Sequence, residues 1–310
     1  MKRTPDVSIC IATFRRPRGL ARLLDSLSAQ KLPEGLDIEI VVVDNDAAGE
    51  ARSRAMAVCD AARTARWFVE PRQNIALARN RAVFEARGRW IAFIDDDEVA
   101  DENWLAAYWK LVERGDGNGF FGPVLARLDE VVTPWLDVET FFSRPRHPSG
   151  TPIDSAEVST SNALVQQVFF SERRFDPAWG RTGGSDVELF DRMLVAGARF
   201  RWCDEALVRE IIPPRRHRLG WLSQRAFRGG VGFTRLEKQR RRSGAVSRGL
   251  PRALLALAVL TPLLPVSLLT GKAAAARVWL RICTQVGHLW AMAGLSYEEY
   301  RCPDARAHLE

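Results

Sequence analysis

The chain of 310 residues has no CxxC pair, no GxGxxG after its first apolar run, no internal repeat and no low-complexity linker. Its five cysteines, Cys10, Cys59, Cys203, Cys283 and Cys302, are odd in number and far apart. Neither a disulfide framework nor a zinc knot is indicated, and a reducing cytosol is the expected compartment. The missing glycine fingerprint disfavours a dinucleotide-dependent oxidoreductase. Aromatic residues are not interleaved with the late arginines, so nucleic acid is not the expected partner. Met1-Lys2-Arg3-Thr4-Pro5-Asp6 passes straight into a strand-like run, and no secretory signal is expected there.

What is present suits one large α/β domain or two smaller ones, with a core that needs no staple. Forty-five Lys and Arg face 38 acids, for a formal charge of +7, and the basic excess falls late in the chain, which suggests a polyanionic partner. The first hundred residues alternate strand and helix patterns. Val7 to Ala12 reads as a strand, and a helix follows from Pro17 with Leu20, Leu23, Leu24 and Leu27 on one face. Then come a strand Ile38 to Val43 ending in Asp44-Asn45-Asp46, a helical stretch containing Cys59, a strand Trp67 to Val69, a helix after Asn74 and a strand from Trp90. This βαβα series predicts a largely parallel sheet, whose ligands bind outside the strands' carboxyl ends.

That last strand, Trp90-Ile91-Ala92-Phe93-Ile94, runs into Asp95-Asp96-Asp97. Three adjacent carboxylates repel one another and are costly to desolvate, so they suit a divalent cation; a solvated turn of acids is the plain alternative. Strand geometry would aim Asp95 and Asp97 the same way. Further helices are expected over 102–114 and 185–194, the second opened by the capping-box pattern Ser185-Asp186-Val187-Glu188. Strands are expected over 164–170 and 207–212. Ala253 to Gly271 carries no charge and follows Arg240-Arg241-Arg242. A run of this length could barely span a bilayer, and Pro262 and Pro265 equally allow a kinked, re-entrant or interface-lying pair of segments, beside an amphipathic helix from about Ala273 to Leu295. The alternative is a buried helical hairpin.

Four ordered segments carry a resemblance: Val7-Ser8-Ile9-Cys10-Ile11-Ala12-Thr13-Phe14-Arg15-Arg16-Pro17, Val41-Val42-Val43-Asp44-Asn45, Asn74-Ile75-Ala76-Leu77-Ala78-Arg79-Asn80 and the acid triplet. With Gly183-Gly184-Ser185-Asp186-Val187-Glu188-Leu189 and the stretch from Pro213 to Gly230, they make the chain resemble family 2 glycosyltransferases of the GT-A fold, most of all the succinoglycan-type exopolysaccharide transferases. The resemblance implies a GT-A domain over 1–220, with a nucleotide-binding part of about 1–100 and an acceptor-binding part of about 101–220. A basic and apolar helical region, 221–310, would follow.

It also implies roles for single residues. Thr13, Asp44, Arg72, Asn74, Arg79, Asp95 and Asp96 would bind the nucleotide sugar, with Asp44 accepting from base or ribose and Asp96 contributing least. Asp97, with His217, would hold Mg²⁺ or Mn²⁺ on the diphosphate. Asp186 would be the base of an inverting transfer. Arg225 and Arg228 would contact diphosphate or acceptor. Each has a plainer reading: a turn for Thr13 and Asp44, structural pairing of Arg79 with Asp95 or Asp97, a helix-dipole partner for Asp186, and a solvated basic loop or lipid-facing surface for His217, Arg225 and Arg228. Asn162 and Trp179 are acceptor contacts or, more plainly, a turn Asn and a core Trp. Two features depart from the family: Ser185 replaces the first member of its usual acidic pair, and Gln224-Arg225-Ala226-Phe227-Arg228 lacks the Trp of the processive QxxRW signature.

The implied partners are a nucleotide-sugar donor, a glycan or lipid-linked glycan acceptor and an anionic membrane surface at the cytoplasmic face of the inner membrane. A sugar-phosphate nucleotidyltransferase is a rival, although Thr13-Phe14-Arg15-Arg16-Pro17 lacks the Gly-rich loop it needs. A membrane-surface protein that keeps the fold without turnover is the non-enzymatic rival.

Overall fold

The computed structural model describes residues 4–129, 133–136, 138–142, 145–240, 246–295 and 297. Arg241, Arg242 and Cys302 lie outside them. Two compact units appear, one from the described residues of 1–126 and 143–211, the other from those of 127–142 and 212–299. The expected boundary at 220 thus meets a division at 211–212, and the second unit also takes in 127–142.

In the first unit, chain order runs β1 (Val7–Thr13), α1 (Pro17–Ser28), β2 (Ile38–Asp44), α2 (Ala51–Met56), β3 (Arg66–Val69), α3 (Ile75–Glu85), β4 (Trp90–Ile94), β5 (Glu98–Ala100), α4 (Trp104–Arg114), β6 (Gly119–Phe121) and β7 (Val124–Leu128). After α5 (Val138–Phe142), which belongs to the second unit, come β8 (Asn162–Gln166), α6 (Ser185–Val195), β9 (Phe200–Trp202) and β10 (Val208–Ile212). Seven strands form one sheet in the order β3-β2-β1-β4-β8-β6-β9. The first four are parallel, β8 is antiparallel to β4 and β6, and β9 is parallel to β6. A smaller sheet pairs β5, β10 and β7.

Alternation along the buried strands feeds two cores, one on each face of the sheet. Ile9, Ile11, Val42 and Ala92 pack with Leu20, Leu23, Leu24 and Leu27 of α1 and Trp104, Leu105 and Tyr108 of α4. Cys10, Val41, Val43, Ile91 and Phe93 pack with Ala76, Ala78 and Ala82 of α3 and Leu189, Phe190 and Met193 of α6. β1 lies between β2 and β4, where the order of the parallel strands reverses, and ligands of such sheets bind outside the carboxyl ends at that point.

Two local expectations are corrected. The helix expected around Cys59 breaks into α2 and a 3₁₀ turn at Asp60–Arg63, and Cys59, the residue ahead of that turn, is extended at φ −147°. The strand expected over 164–170 stops at Gln166 because its pairing with β4 ends at Trp90, and Gln167–Phe170 closes into a 3₁₀ turn. Pro262 and Pro265 do not divide the apolar run. In the second unit α7 (Leu219–Arg240), α8 (Val246–Leu269) and α9 (Lys272–Met292) are three continuous helices, with Pro251, Pro262 and Pro265 inside α8. Pro251, Pro262 and Pro265 are all exposed.

Candidate active site

The ends of β1, β2 and β4 bring Thr13, Asp44 and the acid triplet to one edge of the sheet. Burial alternates through the triplet, with Asp96 inside and Asp95 and Asp97 half-exposed, although the strand itself ends at Ile94. Asp96 accepts from Thr13 Oγ1 at 2.7 Å and from Arg16 Nη1 at 2.8 Å. Its burial raises the carboxyl's pKa against the opposing pull of Arg16. Asp96 and Thr13 therefore tie β1 to β4 from beneath. Arg16 Nη1 also reaches Asp97 Oδ2 at 2.9 Å, so one guanidinium bridges two acids of the triplet. The sequence reading missed Arg16; its one local signal is its place directly before Pro17 at the start of α1. Gly19 permits this closeness, since a Cβ there would lie 2.6 Å from the Asp96 carbonyl oxygen.

Asp95 pairs with Arg79 Nη2 at 3.3 Å and accepts from Ser161 Oγ at 3.0 Å. Its backbone N–H donates to Glu98 Oε2 at 2.8 Å. Glu98 is fully enclosed, and burial first, then Asp95, Asp97 and Glu210, hold its pKa well above the usual carboxylate range. A buried carboxyl beneath the triplet was not anticipated.

Asp44 is 3% exposed and accepts from two backbone amides, Asp46 N at 3.0 Å and Ala51 N at 2.9 Å. Burial raises its pKa, and those two amides work in the other direction. The turn reading thus describes its bonds within the fold. Beside it the buried Asn45 donates to the carbonyls of Glu70 and Arg72 and accepts from Asn74 N at 2.9 Å. Asn74 caps α3 through Ala76 N and Leu77 N, and its Nδ2 donates to Pro177 O at 2.9 Å. Asn74 thus engages the Ala76 and Leu77 amides within the fold. The Arg72 side chain is exposed and pairs with Glu70.

Asp186 stands in the first turn of α6, half-exposed. The expected capping box is absent. Gly183 and Gly184 are both left-handed, at φ +81° and +84°, so Gly184 becomes the cap and Ser185 falls inside the helix. Ser185 Oγ instead lies 3.5 Å from Arg79 Nη1, and Glu188 pairs with Arg192 at 2.7 Å. Asp186 Oδ2 accepts from Ser159 Oγ at 3.2 Å and Thr160 N at 3.4 Å. Ser159 Oγ accepts from Ser161 N at 3.2 Å, and Ser161 Oγ donates to Asp95. A hydrogen-bonded string thus joins the triplet to Asp186.

Two polar residues are structural. Asn162 is buried, with Oδ1 accepting from Trp104 Nε1 and Tyr108 Oη and Nδ2 donating to the carbonyls of Pro123 and Ala206. Being fully satisfied, it is neither an acceptor contact nor a turn residue. Trp179 is a buried Trp against Gly184.

The remaining candidates belong to the second unit. His217 is 1% exposed, with Nε2 at 3.1 Å from the Ile212 carbonyl, so the solvated-loop reading fails for its ring. The Arg225 guanidinium lies over the Phe142 ring at 4.5 Å, and Phe142 stacks on Trp221. Arg228 follows one turn later on α7.

Among the described residues no group of three or more His, Cys, Asp or Glu side chains is arranged to hold a metal ion. The half-exposed Asp97 and Asp95 do fit an ion such as Mg²⁺ or Mn²⁺ that takes one or two carboxylates and completes its shell with diphosphate oxygens and water.

The sequence profile of "Glycosyl transferase family 2" matches residues 8–173. ExoM, a succinoglycan biosynthesis protein of Rhizobium meliloti (strain 1021), is 32% identical over 234 residues, which cover 74% of each chain. Among solved structures, the mannosyltransferase PcManGT from Pyrobaculum calidifontis in complex with GDP-Man and Mn²⁺ has a TM-score of 0.55 at 16% identity, covering 94% of this chain and 76% of that one. Residues 1–349 of S. aureus TarS in complex with UDP-GlcNAc give 0.52 at 12% identity, covering 94% and 93%. At such identities the two structures speak for the fold.

Proposed function

The chain belongs to glycosyl transferase family 2 and is related to proteins of exopolysaccharide synthesis, and from that premise we propose that it moves one sugar from a nucleotide diphosphate sugar to a lipid-linked glycan with inversion. UDP-sugars are the first donor class to try, since TarS was solved with UDP-GlcNAc, and GDP-Man, bound by PcManGT, is the second. Donor binding is assigned to about residues 1–100 and acceptor binding to about 101–220, with 221–310 against the cytoplasmic face of the membrane.

The string of hydrogen bonds from Arg79 through Asp95, the hydroxyl and backbone N–H of Ser161, and Ser159 to Asp186 carries this reading. It puts a candidate base on the same framework as the acids of the donor side. Asp186 accepts the acceptor hydroxyl's proton as that oxygen attacks the anomeric carbon. Asp97 would hold the divalent cation, which supplies charge neutralisation to the departing diphosphate. Arg16 and Arg79 hold Asp97 and Asp95 in place between turnovers. Arg225, Arg228 and His217 are assigned to the diphosphate or acceptor side, where Arg225 presents a cation braced on two rings.

The test incubates the chain with UDP-glucose, UDP-GlcNAc and GDP-mannose, Mn²⁺ and a polyprenyl diphosphate-linked sugar, and follows nucleoside diphosphate and product anomer by NMR. One donor should give nucleoside diphosphate with the anomeric configuration inverted. Retained configuration, or pyrophosphate in place of nucleoside diphosphate, contradicts the reading.

A further inference from the structure

Ser159-Thr160-Ser161 lies just before β8 and has no place in the scheme above beyond linking two acids. Its geometry is specific. The two hydrogen bonds it gives Asp186, from Ser159 Oγ and Thr160 N, converge on the same oxygen, Oδ2. No described residue bonds Oδ1. Ser159 is itself fixed from behind, its Oγ accepting from Ser161 N at 3.2 Å. Ser161 is anchored on Asp95, Asp95 on Arg79, and Arg79 touches Ser185, the chain neighbour of Asp186. The contacts therefore close into a ring.

We propose that Ser159 and Ser161 are positioning residues for the transfer: they clamp Asp186 by Oδ2, so that Oδ1 is presented to the acceptor hydroxyl at a set distance from the donor-side acids. This rests on the assignment of Asp186 as the base. A carboxylate in the first turn of a helix, two residues after a pair of left-handed glycines, has rotamer freedom that costs rate when the reacting atoms must be aligned. Ser159 and Thr160 are both buried, which keeps water from competing for the Oδ2 bonds. In the step itself the proton passes from the acceptor hydroxyl to Oδ1. The new C–O bond forms from the acceptor oxygen's electron pair, and the sugar–diphosphate bond breaks with its pair leaving on the diphosphate. The clamp supplies no proton and no electrons.

The experiment is a double-mutant cycle between Ser159→Ala and Asp186→Asn in the full chain, on whichever donor the panel identifies. Ser159→Ala should lower kcat about ten- to hundredfold with the donor KM within about twofold. In the Asp186→Asn background it should cost nothing further, because the clamp then has no base to position. Unchanged kcat in Ser159→Ala, or an equal loss in both backgrounds, overturns the clamp. Full activity in Asp186→Asn alone overturns the base assignment instead, so the two failures are distinguishable. Should Ser159→Ala not fold, the half-buried Ser161→Ala carries the same expected split.

Discussion

At the scale of single residues, the acids at the strand ends differ in what surrounds them. Asp46 shows this most simply. Arg15, held at φ +55°, donates to it at 2.5 Å, and that bond pulls the Asp46 carboxyl below its ordinary value. A depressed folded-state pKa contributes stability that is fully present above the ordinary carboxylate value and is lost as the pH falls through the depressed one. Asp46→Asn should therefore cost about 1 kcal/mol at neutral pH in urea unfolding, and the difference from wild type should vanish in acid. A difference that persists unchanged into acid would contradict the pairing. Where the acids fall was legible, since an apolar run that stops at Asp44 or Asp95 is a local pattern. Their partners were not. Arg16, Ser159 and Ser161 meet the acids across 80, 27 and 66 residues of chain, and nothing in a polar residue's own neighbourhood announces such a meeting. The same blindness made Asn162 an acceptor or turn candidate when it is a satisfied buried amide.

At the scale of elements, strands and helices of the sheet domain were legible because period-2 and period-3.6 patterns are local. Cap geometry was not: Ser185 and Glu188 fit a capping box by spacing, yet two glycines in the left-handed region moved the cap to Gly184. On α8 the sequence left a single run and a proline-divided pair both open, and the helix is continuous. That helix is long and apolar enough to cross a membrane by length and composition, and nearly all of it is exposed. Leu255 and Val259 are 67% and 51% exposed. From 246 to 297 the sequence has five Lys or Arg and no acid, a complement to anionic lipid. The full chain should sediment with phosphatidylglycerol vesicles, and Leu255→Asp with Val259→Asp should weaken that at least about tenfold, given about 1.5 kcal/mol or more for each apolar side chain withdrawn from lipid. Sedimentation unaffected by the double change would exclude α8 as the anchor.

At the scale of the whole molecule, the family membership fits a nucleotide-sugar donor, and the +7 charge suits a polyanionic partner. The nucleotidyltransferase alternative loses ground to the family match, and the non-catalytic alternative makes the opposite prediction about turnover. The central claim is a division of labour between Asp97, on the diphosphate side, and Asp186, on the acceptor side. It is tested most directly by measuring transfer rate and nucleoside diphosphate binding together for Asp97→Asn and Asp186→Asn, with and without Mn²⁺. Both should lose transfer by about 10²- to 10⁴-fold, while only Asp97→Asn loses the Mn²⁺-dependent thermal shift with nucleoside diphosphate. Transfer that survives in Asp186→Asn, or a Mn²⁺-dependent shift that survives in Asp97→Asn, would contradict the account.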